Sequence, residues 1–328
     1  MNKNEMNAEA PLLIDIYSRL KEELSKTIVG QDELIRGLFI SVLCQGHALV
    51  EGVPGLGKTL MIRSLSRVLD LKYSRIQFTP DLMPADILGT NFITEDDAGR
   101  RVFKFYKGPV FGQIILADEI NRATPKTQSA LLEAMQEGHV TLFGEQHDLQ
   151  APFVVFATQN PLEMEGTYPL PEAQVDRFLF KLLIDYPSQE ELSRILDQTT
   201  EDYSANVSTV LNTDQILALQ PMIKQVPIAS HVKDFAIRLV MATHPGHALA
   251  TEPVNAFVKY GASPRGLQGI VKAAKATALI EGRFNASIED IKSVAKPVLR
   301  HRILLNLKGI AEGVHPDNLV NSIIESLE

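Results

Sequence analysis

The first 187 residues alternate between short apolar runs and longer segments in which apolar residues recur at helical spacing. Short runs that are apolar at nearly every position are typical of parallel strands covered by helices on both faces. We therefore predict an α/β core with a parallel sheet. Its strands are expected at Ala48–Val50, Tyr73–Phe78, Gln113–Ala117, Phe153–Thr158 and Phe178–Ile184.

The pattern also divides the chain. Residues 1–10 are polar and are expected to form a flexible tail, and a helix is predicted from Pro11 through Leu24. A second helix is predicted over Gln31–Cys44. Strand signals stop after Pro187, so residues 11–187 form the predicted core and 188–328 a smaller all-helical domain. The helices expected there are Gln189–Gln198, Thr213–Lys224, His231–Thr243, Pro264–Gly282 and Ser287–His301.

Two segments of the core do not fit the alternation of strands and helices. Residues 91–107, with Gly99 near the middle, and residues 139–150, with Gly144 at the turn, each predict a β-hairpin insertion. Loops and hairpins on a rigid scaffold often carry binding functions, so we expect these insertions to face a pore or a partner. Surface decoration is the alternative interpretation.

Composition narrows the class of protein. The 328 residues include 32 basic and 40 acidic ones, a net charge of −8, which does not favour nucleic acid as a partner. The single cysteine, Cys44, lies in an apolar run and excludes an internal disulfide. The N-terminus resembles no signal peptide and the apolar runs are too short to cross a bilayer. We therefore expect a cytoplasmic protein without membrane insertion.

The strongest chemical signal is the segment Gly52–Thr59, which matches the phosphate-binding pattern G-x-x-x-x-G-K-[ST]. An apolar strand precedes it and an amphipathic helix follows it. The glycines allow successive N–H groups to surround a phosphate, and the helix N-terminus adds a positive dipole. Lys58 is expected to reach the β- and γ-phosphates, and Thr59 to coordinate Mg²⁺.

A second signal is the apolar run Ile114–Ala117, which ends in Asp118 and Glu119. Asp118 is the predicted Mg²⁺ ligand, and Glu119 is placed to polarise an attacking water molecule. A strand that runs into a helix cap would give the same pattern. The two acids favour hydrolysis over simple nucleotide binding because a complete phosphate-binding loop precedes them.

With these motifs the chain resembles the AAA+ ATPases, and among them the MoxR family, over residues 12–305. Further matching stretches are Ile28–Gln31, Phe153–Asn160, Tyr168–Phe178 and Gly261–Leu267. The two hairpins are similar to the insertions that group MoxR proteins with magnesium chelatases and replicative helicases. The resemblance implies ATP and Mg²⁺ as cofactors. The implied nucleotide contacts are Val29, Gly30, Gly52, Pro54, Gly55, Leu56, Gly57, Lys58, Thr59, Leu60 and Arg265.

The resemblance also implies roles for single residues. Asn160 matches the sensor that contacts water or the γ-phosphate, and Arg265 matches a lid arginine that would close onto the phosphates. Arg177 matches an arginine finger supplied to a neighbouring subunit, with an internal ion pair to Asp176 or Glu172 as the alternative. Arg122 is another finger or interface candidate. A finger that acts on a neighbour requires a ring, and the resemblance implies a hexamer.

The function that these observations imply is hydrolysis of ATP to ADP and phosphate, coupled to chaperone-like remodelling or maturation of partner protein complexes. The resemblance suggests proteins with a von Willebrand A domain as clients. Three alternatives stay open: a magnesium-chelatase-like motor subunit, a DNA-dependent translocase or loader, and a nucleotide switch that binds without hydrolysis.

Overall fold

The structure is a computed structural model that describes residues 3–95, 100–161, 166–200 and 206–328. The core strands are β1 (Ala48–Glu51), β2 (Tyr73–Gln77), β5 (Ile114–Asp118), β8 (Val154–Gln159) and β9 (Phe180–Leu183). The hairpin strands are β3 (Gly89–Glu95), β4 (Arg101–Lys107), β6 (His139–Leu142) and β7 (Glu145–Asp148). The core helices are α1 (Lys3–Ser25), α2 (Asp32–Leu43), α3 (Lys58–Val68), α4 (Pro84–Leu88), α5 (Pro125–Glu137) and α6 (Glu172–Val175).

The five core strands form one parallel sheet in the order β2-β5-β8-β1-β9. This confirms the predicted fold class, and each strand begins and ends within two residues of its expected position. The described side chains of β5 are all buried, as are those of β8 apart from its last residue. Two apolar clusters lie on the two faces of the sheet, which explains why the sequence is apolar at nearly every strand position.

The second domain follows as α7 (Gln189–Thr200), α8 (Thr213–Gln225), α9 (Ser230–Met241), α10 (Glu252–Phe257), α11 (Pro264–Ile280), α12 (Ile288–Leu299), α13 (Leu307–Ala311) and α14 (Pro316–Leu327). The predicted helix α11 is present and begins at Pro264, as expected. The Ser263 hydroxyl accepts a hydrogen bond from the backbone N–H of Arg265, and Pro264 takes the first helical position. Helix α11 packs on α8, α9 and α12, and also on α1 and α2. It therefore forms the centre of the lid and joins it to the core.

Two details of the predicted outline are wrong. Helix α1 begins at Lys3, so residues 3–10 are helical where a tail was expected. The lid is also not entirely helical, because β10 (Val258–Tyr260) pairs in antiparallel fashion with β11 (Leu304–Leu305). Strands this short leave almost no period-2 signal in a sequence. Within the described ranges, no helix is long and apolar enough to cross a membrane.

Both predicted hairpins are present. Strands β3 and β4 pair from Gly89–Lys107 to Glu95–Arg101, and β6 pairs with β7 around Gly144. Gly99, predicted near the first turn, lies outside the described residues. The hairpins pack on each other, since the rings of Phe105 and His147 stack at 4.3 Å between centroids. The two insertions therefore form one joint feature on the core.

Candidate active site

The predicted phosphate loop, acidic pair and sensor meet at one edge of the sheet. Strands β1, β8 and β5 are neighbours and parallel, so their carboxyl ends lie side by side. The phosphate loop follows β1, Asn160 follows β8, and Asp118 ends β5. Ligands of open α/β sheets bind outside the carboxyl ends of the strands, and this edge is the candidate active site.

The phosphate loop has the backbone shape that an anion requires. Gly55 and Gly57 adopt φ values of 85° and 77°, a region that L side chains avoid. A Cβ atom added at either glycine would meet nothing within 4 Å, so the concave side of the loop is open. Helix α3 begins at Lys58 directly after Gly57, which aims its positive end at the same space.

Lys58 lies folded back on this loop. Its ammonium donates to the carbonyl oxygens of Gly52 and Val53. Burial lowers the pKa of Lys58, while the charges of Asp118, Glu119 and Glu51 oppose that effect. The lysine therefore lies within the field of the acidic pair. A phosphate group offers it a better acceptor than two carbonyls, since hydrogen bonds between charged partners are stronger.

Asp118 and Glu119 are held by one hydroxyl group. The buried Thr158 Oγ1 donates to Asp118 Oδ1 at 2.6 Å and accepts from the Glu119 backbone N–H at 2.8 Å. Glu119 has a φ of 56°, a left-handed conformation that is costly for a residue with a Cβ. The hydrogen bond to Thr158 stabilises that conformation. Thr158 was not among the predicted site residues.

Strand β2 supplies two further side chains that the sequence analysis missed. Arg75 donates to Asp118 Oδ2 through Nε at 3.1 Å and Nη2 at 2.7 Å. Gln77 donates to Glu119 Oε2 at 3.0 Å. Gln77 lies directly opposite Asp118 on the neighbouring strand. Aligning the predicted strands β2 and β5 by their pairing register could therefore have identified both residues.

The remaining candidates at this edge are Arg122 and Asn160. Arg122 Nη1 donates to Glu119 Oε2 at 3.0 Å, so this arginine contacts the acidic pair of its own subunit. Asn160 is buried at the end of β8, beside the phosphate loop, where Gly52 N–H donates to the carbonyl of Gln159. Both therefore lie at the same edge of the sheet as the phosphate loop and the acidic pair.

A cavity of about 470 Å³ opens beside the phosphate loop. The expected contacts Val29, Pro54, Gly55, Leu56, Gly57 and Leu60 line it, together with Ile28 and Gln31. Gly30 lies between Val29 and Gln31 with φ of 69°, and its Cα is covered by the Glu191 side chain. The cavity is large enough for a nucleoside and is mainly apolar, as suits a base.

Helix α7 forms the other wall of this cavity. Its residues Leu192, Ile195 and Gln198 line it, with Tyr186 and Pro187 just before the helix. No site residue was predicted on α7. Its lining positions recur three residues apart, which is also the pattern of any helix with a buried face.

Arg177 lies at the opposite edge of the sheet. It precedes β9, which runs parallel to β1, and the nearby Leu179 N–H donates to the carbonyl of His47, just before β1. Its Nη1 donates to the carbonyl of Leu132 at 3.0 Å. Among the described residues, Arg177 Nε is buried without a hydrogen-bond partner. Arg177 therefore lies away from the phosphate loop of its own chain.

Arg265 lies at the same opposite edge and not beside its own phosphate loop. Its Nη1 is 3.5 Å from Asp176 Oδ2, and Asp176 also accepts from Ser263 Oγ at 2.9 Å and Arg302 Nε at 2.9 Å. Arg177 and Arg265 together line a cavity of about 280 Å³. The expected closure of Arg265 onto the phosphates of its own subunit is wrong for this arrangement, because α11 begins at the end of the core away from them.

Buried Arg302 anchors this second group. Besides Asp176, it donates to the carbonyls of Leu179, Val298 and Phe178. Burial lowers the pKa of Arg302, and the Asp176 carboxylate opposes that shift. Asp176 therefore serves Arg302, Ser263 and Arg265. Within the described residues, Arg177 forms no ion pair with Asp176 or with Glu172, the two partners of the alternative interpretation.

The residues at the phosphate-loop edge suit Mg²⁺. The predicted ligands Thr59 and Asp118 offer one hydroxyl and one carboxylate oxygen, and Mg²⁺ in nucleotide sites takes few protein oxygens with phosphate and water oxygens. Across the described residues, no group of three His, Cys, Asp or Glu side chains forms a metal cluster. The two protein oxygens of Thr59 and Asp118 therefore suit a Mg²⁺ ion that is bound together with the nucleotide.

Comparisons with known proteins agree with this geometry. Residues 47–180 match the ATPase family associated with various cellular activities (AAA), and residues 252–323 match the AAA lid domain. The crystal structure of a protein from Cytophaga hutchinsonii, described as a candidate ATPase, superposes with a TM-score of 0.92 at 38% identity. The match covers 99% of this chain and 98% of that one.

Curated relatives cover most of the chain. Chaperone MoxR1 of Mycobacterium tuberculosis is 42% identical over 305 residues, which are 93% of this chain and 80% of the relative. The protein YeaC of Bacillus subtilis is 40% identical over 316 residues, 95% of this chain and 94% of the relative. Protein MoxR of Methylorubrum extorquens is 34% identical over 310 residues, 89% of this chain and 88% of the relative.

Proposed function

The chain belongs to the MoxR family of AAA ATPases, and we propose that it hydrolyses ATP to ADP and phosphate in a ring whose turnover remodels partner proteins. The observation that carries the hydrolysis is the grouping of the open phosphate loop with Asp118, Glu119 and Thr158 at one sheet edge. A site that only binds a nucleotide requires the phosphate loop. It does not require a second carboxylate such as that of Glu119, whose backbone N–H is bound by the buried Thr158 hydroxyl.

Each residue of this edge has a distinct task. The N–H groups of Gly55–Thr59 and the Lys58 ammonium bind the phosphates. Thr59 and Asp118 would hold Mg²⁺, which neutralises charge on the phosphate oxygens. Glu119 accepts the proton of the attacking water, and its backbone contact to Thr158 fixes where the carboxylate points. Asn160 orients the water or the γ-phosphate from the end of β8.

Arg177 and Arg265 complete the site of a neighbouring subunit in this proposal. Both lie at the edge opposite their own phosphate loop, so they can meet a nucleotide only on another copy. A head-to-tail contact between unlike faces repeats around an axis, and it forms a ring when the rotation closes. A guanidinium that reaches the γ-phosphate stabilises the charge of the transition state. Six subunits are the number that the resemblance to the MoxR family implies.

The joint feature formed by the two hairpins supports action on a protein client. It exposes Phe92, Ile93, Phe103 and Phe143, with Phe103 75% exposed. Exposed apolar clusters on an otherwise polar surface mark places where proteins bind. The relative named as a chaperone agrees with this use. Proteins with a von Willebrand A domain are the client class that we propose, at a cytoplasmic location.

The first experiment measures the ATPase rate per subunit against protein concentration, from nanomolar to tens of micromolar, with Mg²⁺. We expect a steep rise, because each site lacks its two arginines until subunits assemble. A flat and measurable rate would contradict the shared site. Bound ATP without turnover at any concentration would favour the nucleotide switch, and stimulation by DNA would favour the translocase.

A further inference from the structure

The lid carries an apolar groove of about 500 Å³ on the outer side of α8, α9 and α11. Its floor is formed by Ile223, Ile228, Ile237, Leu267 and Val271. Four lysines stand around it, namely Lys224, Lys233, Lys272 and Lys275, and in the described part of the chain no carboxylate lines it. An apolar floor with a basic rim suits an acidic amphipathic helix.

The groove is continuous with the arginine cavity. Gln268 and Lys272 line both of them, so the groove begins where the cavity of Arg177 and Arg265 ends. In the proposed ring, a neighbour brings its nucleotide to that cavity. A part of the neighbour next to its nucleotide would then lie close to the groove.

Helix α7 is that part, and its chemistry matches. Its inner side lines the nucleotide cavity through Leu192, Ile195 and Gln198. Leu196 (61% exposed) lies one turn after Leu192 (40% exposed). By helical spacing, Glu190, Arg194 and Asp197 lie on the side turned away from the cavity, and α7 as a whole carries three acidic residues and one basic residue. A leucine this exposed is costly in water unless another surface covers it.

We propose that α7 of one subunit docks into the lysine-rimmed lid groove of the next subunit, with Leu196 on the apolar floor and Glu190 and Asp197 facing the lysines. The occupant of the groove is thus a second copy of this chain. This inference rests on the proposed ring and specifies which surfaces form it. Because α7 also lines the nucleotide cavity, the contact joins ATP binding in one subunit to the lid of its neighbour.

The test exploits the charge pattern with two variants. The groove variant carries Lys224→Glu and Lys233→Glu, and the helix variant carries Glu190→Lys and Asp197→Lys. Each variant alone removes the charge complementarity: the groove variant faces the acidic residues of α7 with two glutamates, and the helix variant faces the four lysines with two further lysines. We expect the concentration for half-assembly, measured by sedimentation velocity with Mg²⁺ and a non-hydrolysable ATP analogue, to rise at least about tenfold for each.

An equimolar mixture of the two variants should assemble again. In an alternating ring, the acidic groove of one variant faces the basic helix of the other, and the remaining contacts have the native charges. Assembly should be greatest at a one-to-one ratio. If the mixture assembles no better than either variant alone, the proposed docking is wrong.

Two controls separate this contact from general effects. Lys259→Glu with Lys308→Glu makes the same charge change on β10 and α13 of the lid and should leave assembly unchanged. Leu196→Ser should weaken assembly, whereas Leu307→Ser, at an 87% exposed position, should not. Equal losses in the test and control variants would show an effect of charge or polarity anywhere on the lid and would contradict the docking.

Binding of a fluorescent ATP analogue to each variant at concentrations below assembly shows whether its nucleotide site is intact. If the wild-type chain forms an active ring and the groove variant assembles equally well, the docking fails and the proposed function stands; the groove then belongs to a different protein. If the wild-type chain stays monomeric under all conditions, the ring and the docking fail together.

Discussion

The two edges of the sheet differ in how their charges are satisfied. At the carboxyl edge, Asp118 and Glu119 already contact Arg75, Gln77, Arg122 and Thr158 of their own chain. At the opposite edge, where the strands begin, the acceptor of Arg177 within the described part of the chain is a carbonyl, and Arg265 lies 3.5 Å from an Asp176 that also serves Arg302. The acidic side chains of the first edge are thus held by their own chain, whereas the second edge carries arginines with fewer internal partners.

In the proposed function, each edge is half of an active site. A site for ATP needs both the acidic, metal-binding half and arginines for the γ-phosphate. One chain contains both halves at opposite ends of its strands. If this proposal is right, hydrolysis depends on assembly, and three sets of substitutions test the comparison of the two edges.

The largest effect is expected for Arg177→Ala. Loss of an arginine that stabilises the transition state lowers turnover by about 1,000-fold or more, while ATP affinity stays close to that of the wild type. Mixing Arg177→Ala subunits with Glu119→Gln subunits should restore part of the turnover, since some contacts then pair an intact acid with an intact arginine. No restoration in a mixed ring of verified composition would place Arg177 in a structural role.

Changes at the carboxyl edge should separate binding from chemistry. Glu119→Gln keeps the phosphate loop and should lower turnover by about 100-fold or more with ATP still bound, because the amide cannot accept the proton of water. Lys58→Ala removes a charged phosphate contact and should weaken binding by roughly 100-fold. Calorimetric titration and single-turnover hydrolysis measure the two effects. Equal loss of ATP binding in both variants would contradict the assigned roles.

The smallest of the three effects on turnover is expected for Asp176→Asn, whose main consequence is for stability. The change leaves the charge of buried Arg302 without its carboxylate, which costs about 3 kcal/mol in free energy of unfolding. Urea denaturation measures this cost. Glu172→Gln, on the nearby helix α6, is the matched control and should change stability little. A stability loss as large in the control would show that Asp176 has no special part in holding the lid.

The carboxyl edge could be predicted from the sequence because each of its groups is a short continuous segment at the end of a strand. Gly52–Thr59 follows β1 directly, Asp118 ends β5 and Glu119 follows it, and Asn160 follows β8. Parallel strands bring their ends to one edge whatever loops connect them. Thr158, Arg75 and Gln77 were missed because their roles depend on pairing register, which apolar periodicity alone does not reveal.

Arg265 shows the limit of such inference. The sequence determined that it begins a helix, since Ser263 caps α11 and Pro264 occupies its first position. The sequence did not determine where in the molecule this helix begins. The packing of α11 on α1 and α2, and the contacts of Asp176 with Ser263 and Arg302, place its first turn at the end of the core away from the phosphate loop.

The same division holds for the whole molecule. Local chemistry fixed the strands, the phosphate loop and the acidic pair, because each depends on neighbours in the chain. Only the tertiary structure decided which charges are paired internally and which face outward. It also decided that the lysines of α8, α9 and α11 surround one apolar groove, because long-range packing of separate helices brings them together.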